Sequence, residues 1–217
     1  MIDWPHRPSP IIAALIIVSA PVLSSRLLVT PLPALAIRPL GCAGAHRRGI
    51  IRARRAAAPR QLSHGEQRMA ELSPVGMIGL GLMGEAFSGL LRKAGYPVVG
   101  TDIDPAKAAK LAALGGKWAD SAADVARDCP VIVLIVFNTD QVEAVLEREI
   151  LAAVGESSGK IVLCASTCDP DRIAALGARV APRGIRLLET PVSGTSDQVR
   201  KHEGVGLIGG DAALMAA

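Results

Sequence analysis

From residue 74 onward, apolar runs alternate with stretches of helical period. Strand-like runs fall at 75–80, 98–102, 117–119, 131–137, 161–165, 185–189 and 205–208. Helix-like stretches at 82–94, 105–114, 121–127, 139–154 and 171–181 separate them. The run Val131-Ile-Val-Leu-Ile-Val-Phe137 has no polar alternation, the pattern of a strand covered on both faces. Capping residues agree with these boundaries. Asp104 precedes Pro105 at a helix start, Ser121 is followed three residues later by Asp124, and Gly115-Gly116 follows a helix end. The alternation predicts an α/β protein with a Rossmann-type, doubly wound, mostly parallel sheet over residues 71–217.

Residues 1–70 differ in kind. They hold eight of the 15 prolines, ten Arg, no Lys and only two acids, Asp3 and Glu66, for a net +8. Residues 71–217 hold 14 basic and 18 acidic residues, a net −4, so the basic pI of the chain belongs to its N-terminal extension. The apolar stretch from Ile11 to Leu23 contains Pro21 and is too short to span a bilayer. It could serve as the apolar core of a secretory signal. The acid-free, Arg- and Ala-rich stretch from Arg38 to Arg60 suits an organellar transit peptide, mitochondrial or plastid. The third reading is a non-functional leader before a start near Met69, which leaves the protein cytoplasmic.

The chemistry concentrates in residues 77–84, Met-Ile-Gly-Leu-Gly-Leu-Met-Gly. Gly79, Gly81 and Gly84 form G-x-G-x-x-G between an expected strand and an expected helix. The next strand ends in an acid, Asp102, which lies 18 residues past Gly84. This order is that of a dinucleotide-binding βαβ unit. Gly79 permits the tight turn, Gly81 lets the backbone approach a pyrophosphate, and Gly84 lets the helix pack close to the strand. The N–H groups and positive end of the helix then face the phosphates, with Leu80, Leu82 and Met83 in the binding turn. Asp102 can accept both ribose hydroxyls. That favours NAD, leaves NADP as the second choice, and meets no arginine at 103–104 that would hold a 2′-phosphate.

Composition narrows the remaining classes. Aromatics are only 2% of the chain and the folded part lacks a basic face, which argues against a nucleic-acid partner. Cys42, Cys129, Cys164 and Cys168 match neither a zinc pattern nor a disulfide framework, and Cys129 and Cys164 read as core thiols. The four His are scattered, so no metal site is expected.

Three motifs in register resemble the β-hydroxyacid dehydrogenase family. This family includes the 3-hydroxyisobutyrate dehydrogenases and, more distantly, 6-phosphogluconate dehydrogenase. Gly79-Leu-Gly-Leu-Met-Gly84 matches its G-L-G-x-M-G. Ser166-Thr167 with Pro170 matches its S-T/S-x-x-P. Glu189-Thr-Pro-Val-Ser-Gly-Thr195 resembles its D-x-P-V-S-G-G substrate loop. The resemblance implies an NAD(P)-dependent oxidoreductase acting on the CH–OH group of a β- or short-chain hydroxyacid, or on the matching semialdehyde. It places Val136, Phe137, Gln141 and Thr167 against the nicotinamide half, and Ser193, Gly194 and Thr195 on the substrate carboxylate. It also implies a homo-oligomer for a full-length member.

Departures from the family pattern cluster at the substrate end. Thr195 replaces a Gly, Leu90 replaces an Asn, and His202 stands where a Gly is expected. If position 195 requires a positive φ, Thr is costly there. The family's acid/base Lys lies in a G-x-x-x-K-x-x-N helix of a following all-helical domain. None of Lys93, Lys107, Lys110, Lys117, Lys160 and Lys201 has that setting, so no catalytic residue is named. The expectation is a cofactor domain truncated before that helix, with an apolar face exposed near its last strand. The alternatives are a non-catalytic NAD(P)-binding module and another Rossmann enzyme, such as a methyltransferase. The Met83-Gly84 pair and Pro191-Val-Ser-Gly194 argue against the methyltransferase.

Overall fold

The computed structural model describes residues 72–210. The leader readings for residues 1–70, and Cys42 with them, lie outside the described residues. Strand and helix alternate as β1 (Val75–Ile78), α1 (Leu82–Lys93), β2 (Val98–Thr101), α2 (Lys107–Ala113), β3 (Lys117–Trp118), α3 (Ala122–Asp128) and β4 (Val131–Leu134). Next comes α4, which starts as Thr139–Ala144, widens to a π-helical stretch Val145–Ile150 and closes with Leu151–Ala153. Then follow β5 (Ile161–Cys164), α5 (Pro170–Val180) and β6 (Arg186–Glu189). The six strands form one parallel sheet in the order β3-β2-β1-β4-β5-β6. This is the doubly wound Rossmann order, which reverses between β1 and β4 and opens a crevice at their C-terminal ends.

Every residue of β1, β2, β4 and β5 is buried, because helices cover both faces of the sheet. On one face Val75, Met77, Val98, Val133 and Leu163 pack with Phe87, Leu90 and Leu91 of α1 and Leu111 of α2. On the other, Ile78, Ile132, Leu134 and Val162 meet Val125 of α3, Leu146 and Ile150 of α4, and Ile173 and Leu176 of α5. Arg172 of α5 reaches Asp140 and Glu143 of α4, and Arg179 reaches Glu143 and Glu147. The Arg172 guanidinium, with Arg179 behind it, holds the Glu143 carboxyl below its ordinary value. These pairs are exposed, so they contribute helix register more than stability.

Local rules account for most boundaries. Ser121 caps α3 by accepting from the Asp124 N–H at 3.1 Å. Asp169 caps α5 with Pro170 in the first turn. Asp104 accepts from the Ala106 N–H at 3.0 Å, but this closes a turn, and α2 itself begins at Lys107. Strands β1 and β4 stop earlier than the apolar runs that encode them. The Gly79 N–H donates to the Thr101 carbonyl (3.0 Å) and the Ile135 N–H to the Ile78 carbonyl (2.9 Å), after which the chain peels away.

The last strand expected from the sequence requires correction. Residues 205–208 do not extend the parallel sheet. Instead β7 (Val192–Ser193) and β8 (Val205–Gly206) form a separate antiparallel ribbon around a short helix, α6 (Ser196–Arg200). Val199 of α6 is fully buried in the cluster that includes α1, and this anchor reverses the chain before a crossover can form. The returning chain then meets the end of β6, where Glu189 and Gly209 exchange hydrogen bonds of 2.9 and 2.8 Å.

Candidate functional site

The turn between β1 and α1 is built by three glycines with three different constraints. Gly79 has φ +93°, and an added Cβ would lie 2.0 Å from the Ile135 carbonyl oxygen. A Cβ on Gly84 would lie 1.9 Å from the Gly79 carbonyl oxygen. Both positions are closed to any side chain by neighbouring backbone. A Cβ on Gly81 would meet nothing within 4 Å. Gly81 is also the N-cap of α1, where no side chain caps the helix, and the first main-chain bond is Glu85 N–H to the Gly81 carbonyl at 2.9 Å. The first amides of α1, Leu82 and Met83 among them, therefore open onto the space beside Gly81, at the positive end of the helix. This suits an anionic group, and the residues present fit a dinucleotide pyrophosphate.

Asp102 ties this turn to the next strand. One carboxylate oxygen accepts from the Leu80 N–H at 2.6 Å, the other from the Asp104 N–H at 2.9 Å. Leu80 is thus a positioning residue whose amide is engaged within the protein and whose side chain is buried. Each carboxylate oxygen keeps a second lone pair, so Asp102 can still accept hydroxyl groups. Beside it, Ile103 is 95% exposed, an apolar side chain at the strand's C-terminal end that sequence reasoning passed over. Its only sequence signal is its place directly after the acid.

The loops after β4 and β5 are joined to each other. The Val136 N–H donates to the Ser166 Oγ at 2.8 Å, and the Asp169 N–H to the Thr139 Oγ1 at 3.0 Å. Phe137 is 89% exposed, and its N–H donates to the Gln141 Oε1 at 2.9 Å. Gln141 therefore fixes the Phe137 loop with its side-chain oxygen. Thr167 is exposed. The Thr190 N–H donates to the Cys164 carbonyl at 2.7 Å, which links the end of β6 to the end of β5. A single edge thus runs from Asp102 through Leu80, Gly79, Ile135, Val136, Ser166 and Cys164 to Thr190.

Ser193, Gly194 and Thr195 are exposed on the β7–α6 connection that follows. Thr195 does not need a positive φ. It sits at φ −83° and caps α6 in a reciprocal pair with Gln198, accepting from the Gln198 N–H at 3.2 Å while its own N–H donates to Gln198 Oε1 at 2.8 Å. The positive φ falls instead on Gly194 (+133°) and on His202 (+62°). His202 holds a backbone shape that costs a non-glycine residue about 1–2 kcal/mol, at the place where the resemblance expects Gly. Val205, Leu207 and Ile208 leave apolar surface exposed on this ribbon.

Cys129 and Cys164, the two thiols read as core groups from the sequence, are fully buried. Burial pushes the Cys129 thiol up to about 12, and burial with Cys168 alongside does the same to Cys164. Cys168, however, is half-buried on the β5–α5 loop, with its sulfur 3.7 Å from that of Cys164. Among the described residues, no group of three or more His, Cys, Asp and Glu could hold a metal ion, and no helix is long and apolar enough to cross a membrane.

Comparison with known proteins supplies the family. Residues 74–217 match the model of the NAD binding domain of 6-phosphogluconate dehydrogenase. The chain is 36% identical over 129 residues to an L-threonate dehydrogenase of Cupriavidus necator, covering 59% of this chain and 43% of that protein. It is 31% identical over 144 residues to the mitochondrial 3-hydroxyisobutyrate dehydrogenase of Rattus norvegicus, covering 65% of this chain and 42% of that protein. The chain thus spans less than half the length of these two relatives. A solved 3-hydroxyisobutyrate dehydrogenase of Mycobacterium tuberculosis, with L-serine, superposes with a TM-score of 0.62 at 25% identity, covering 67% of this chain and 49% of that one.

The three glycines should separate in a denaturant titration. Gly79→Ala and Gly84→Ala force backbone apart and should each lose at least about 3 kcal/mol of stability. Gly81→Ala faces open space and should stay within about 1 kcal/mol of the parent, the cost of a poorer N-cap. Equal losses at all three positions would contradict the assigned contacts.

Proposed function

The chain belongs to the family of the NAD-binding domain of 6-phosphogluconate dehydrogenase, and from that membership we propose that it is the cofactor domain of an oxidoreductase acting on a β- or short-chain hydroxyacid. The observation that carries this reading is the open space at Gly81, before an uncapped helix and beside Asp102. In this reading the amides of Leu82 and Met83 hold the pyrophosphate, with Gly79, Gly81 and Gly84 shaping the turn and Leu80 anchoring it. Asp102 accepts the ribose hydroxyls, and Ile103 flanks the adenine. Val136, Phe137, Gln141 and Thr167 border the nicotinamide half. When bound, the nicotinamide supplies or accepts the hydride. Ser193, Gly194 and the Thr195 connection bind the substrate carboxylate. The names of the relatives, an L-threonate and a 3-hydroxyisobutyrate dehydrogenase, support a small hydroxyacid or its semialdehyde as substrate.

The six lysines include none in the G-x-x-x-K-x-x-N setting that the family uses for proton transfer. In our reading the catalytic Lys and the wall that closes the cleft belong to a further helical domain outside these 217 residues. The exposed Val205, Leu207 and Ile208 ribbon supports both that domain and a homo-oligomeric full-length protein. The Arg- and Ala-rich stretch within residues 1–70 supports a mitochondrial or plastid leader, and one relative is a mitochondrial enzyme.

Asp102 should set cofactor preference. A 2′-phosphate beside this half-exposed carboxylate costs about 1–3 kcal/mol, so NAD should bind on the order of tenfold or more tighter than NADP. Asp102→Asn should narrow that ratio, as read by nicotinamide fluorescence titration. A ratio near one in the parent, unchanged in the variant, would sink the assignment.

The 217-residue chain alone should show no dehydrogenase turnover with 3-hydroxyisobutyrate, glycerate or threonate. Loss of a positioned acid/base removes on the order of 10²–10⁴ in rate, and an open, wet cleft removes more. A turnover approaching about 10 per second, typical of enzymes, would overturn the assignment of catalysis to a further domain.

Fusion of residues 1–70 to a fluorescent protein should direct it to an organelle. A diffuse cytoplasmic signal would count against the leader reading.

A further inference from the structure

We propose that Cys164 and Cys168 form a reversible disulfide, a redox-modification site on the loop at the cofactor edge. Their sulfurs stand 3.7 Å apart, against about 2.05 Å in a disulfide. Closure therefore requires a shift of less than about 2 Å. Cys164 is the last residue of β5 and has no exposed surface. Cys168 is half-buried on the loop that leads to α5. The reagent side of the pair is thus Cys168, and the sulfur behind it is Cys164.

The loop between them is held at its ends and over its first two residues, where the Ala165 N–H donates to the Leu134 carbonyl at 2.8 Å, and it is exposed at Thr167. Before it, β5 is paired on both edges. After it, Asp169 caps α5 and its N–H donates to Thr139. Between the two cysteines lie Ala165, Ser166 and Thr167. Ser166 holds the Val136 N–H, while Thr167 is exposed at the crevice. Drawing Cys168 onto Cys164 shortens this span and moves Thr167.

The chemistry balances with a thiol–disulfide oxidant such as glutathione disulfide. The Cys168 thiolate attacks one glutathione sulfur, breaks its S–S bond and releases one glutathione. The Cys164 sulfur then attacks the Cys168 Sγ, its proton passing to the departing glutathione thiolate as that second glutathione is expelled. Two protein thiols are oxidised, one glutathione disulfide is reduced, and the two glutathiones carry away the two protons. The second step needs no solvent access to Cys164, because its target is the sulfur it already touches. The consequence for NAD(H) rests on the cofactor reading above, but the disulfide itself does not.

The full chain, carrying Cys42→Ser, is treated with glutathione disulfide and followed by intact mass and peptide mapping. The expected result is a mass lower by two hydrogens, a crosslink mapped to Cys164 and Cys168, and reversal by dithiothreitol. Cys168→Ser should abolish the change. A lasting glutathione adduct on Cys168, or no reaction, would overturn the proposal. NADH titration of the two forms should show weaker binding when oxidised, on the order of tenfold, or about 1.4 kcal/mol. Equal NADH affinity with the crosslink in place would overturn the effect on the loop. If neither form binds NADH while the crosslink forms, the cofactor reading fails and the disulfide stands.

Discussion

The close approach of backbone to backbone at Gly79 is the constraint on which the site depends. The Ile135 carbonyl presses on one side of this residue, and Gly84 lies against its own carbonyl oxygen on the other. Two approaches too close to admit a Cβ thus hold β1, the Ile135 loop after β4 and α1 relative to one another. They place the start of α1 over the reversal point of the sheet, where its uncapped amides open outward. The bond from Leu80 to Asp102 then brings the end of β2 to the same place. Nothing in this arrangement depends on a large side chain. Backbone geometry sets the open amides of α1 beside one carboxylate, Asp102.

Much of this was legible in the chain, for identifiable reasons. Strands β1, β2, β4 and β5 are buried on both faces, so their apolar runs could carry no competing polar period. The glycine spacing expressed steric demands at Gly79 and Gly84, and neighbouring backbone closes both positions to a side chain, while Gly81 faces open space. Strand ends were less legible. Where β4 stops is decided by the Ile135 bond to Ile78, more than fifty residues away in the chain. The Leu80 bond to Asp102 likewise exists only because β1 and β2 pair in one particular register. The contact between Cys164 and Cys168 was hidden because the first belongs to a strand and the second to a loop.

The C-terminal ribbon shows where pattern reading went astray. Residues 192–206 look like a loop and a final strand, yet they fold as a short ribbon with a helix inside it. The signal was present as Thr195 with Gln198, a capping pair read as part of a binding motif. Thr195 proved unstrained, and the left-handed backbone moved to Gly194 and His202. The backbone path thus keeps a feature expected of glycine even where the residue has changed. At Gly79 and Gly84 the steric demand of the turn can be read directly from the neighbouring backbone.

A paired measurement on Gly81→Val tests the central claim most directly. Gly81 alone among the three turn glycines faces open space, so a side chain there should occupy the volume meant for the phosphates. Thermal unfolding of the variant should stay close to that of the parent, while NADH binding, followed by fluorescence or heat, should be lost. A variant that unfolds like the parent and binds NADH as well would show that the phosphates do not lie at this turn.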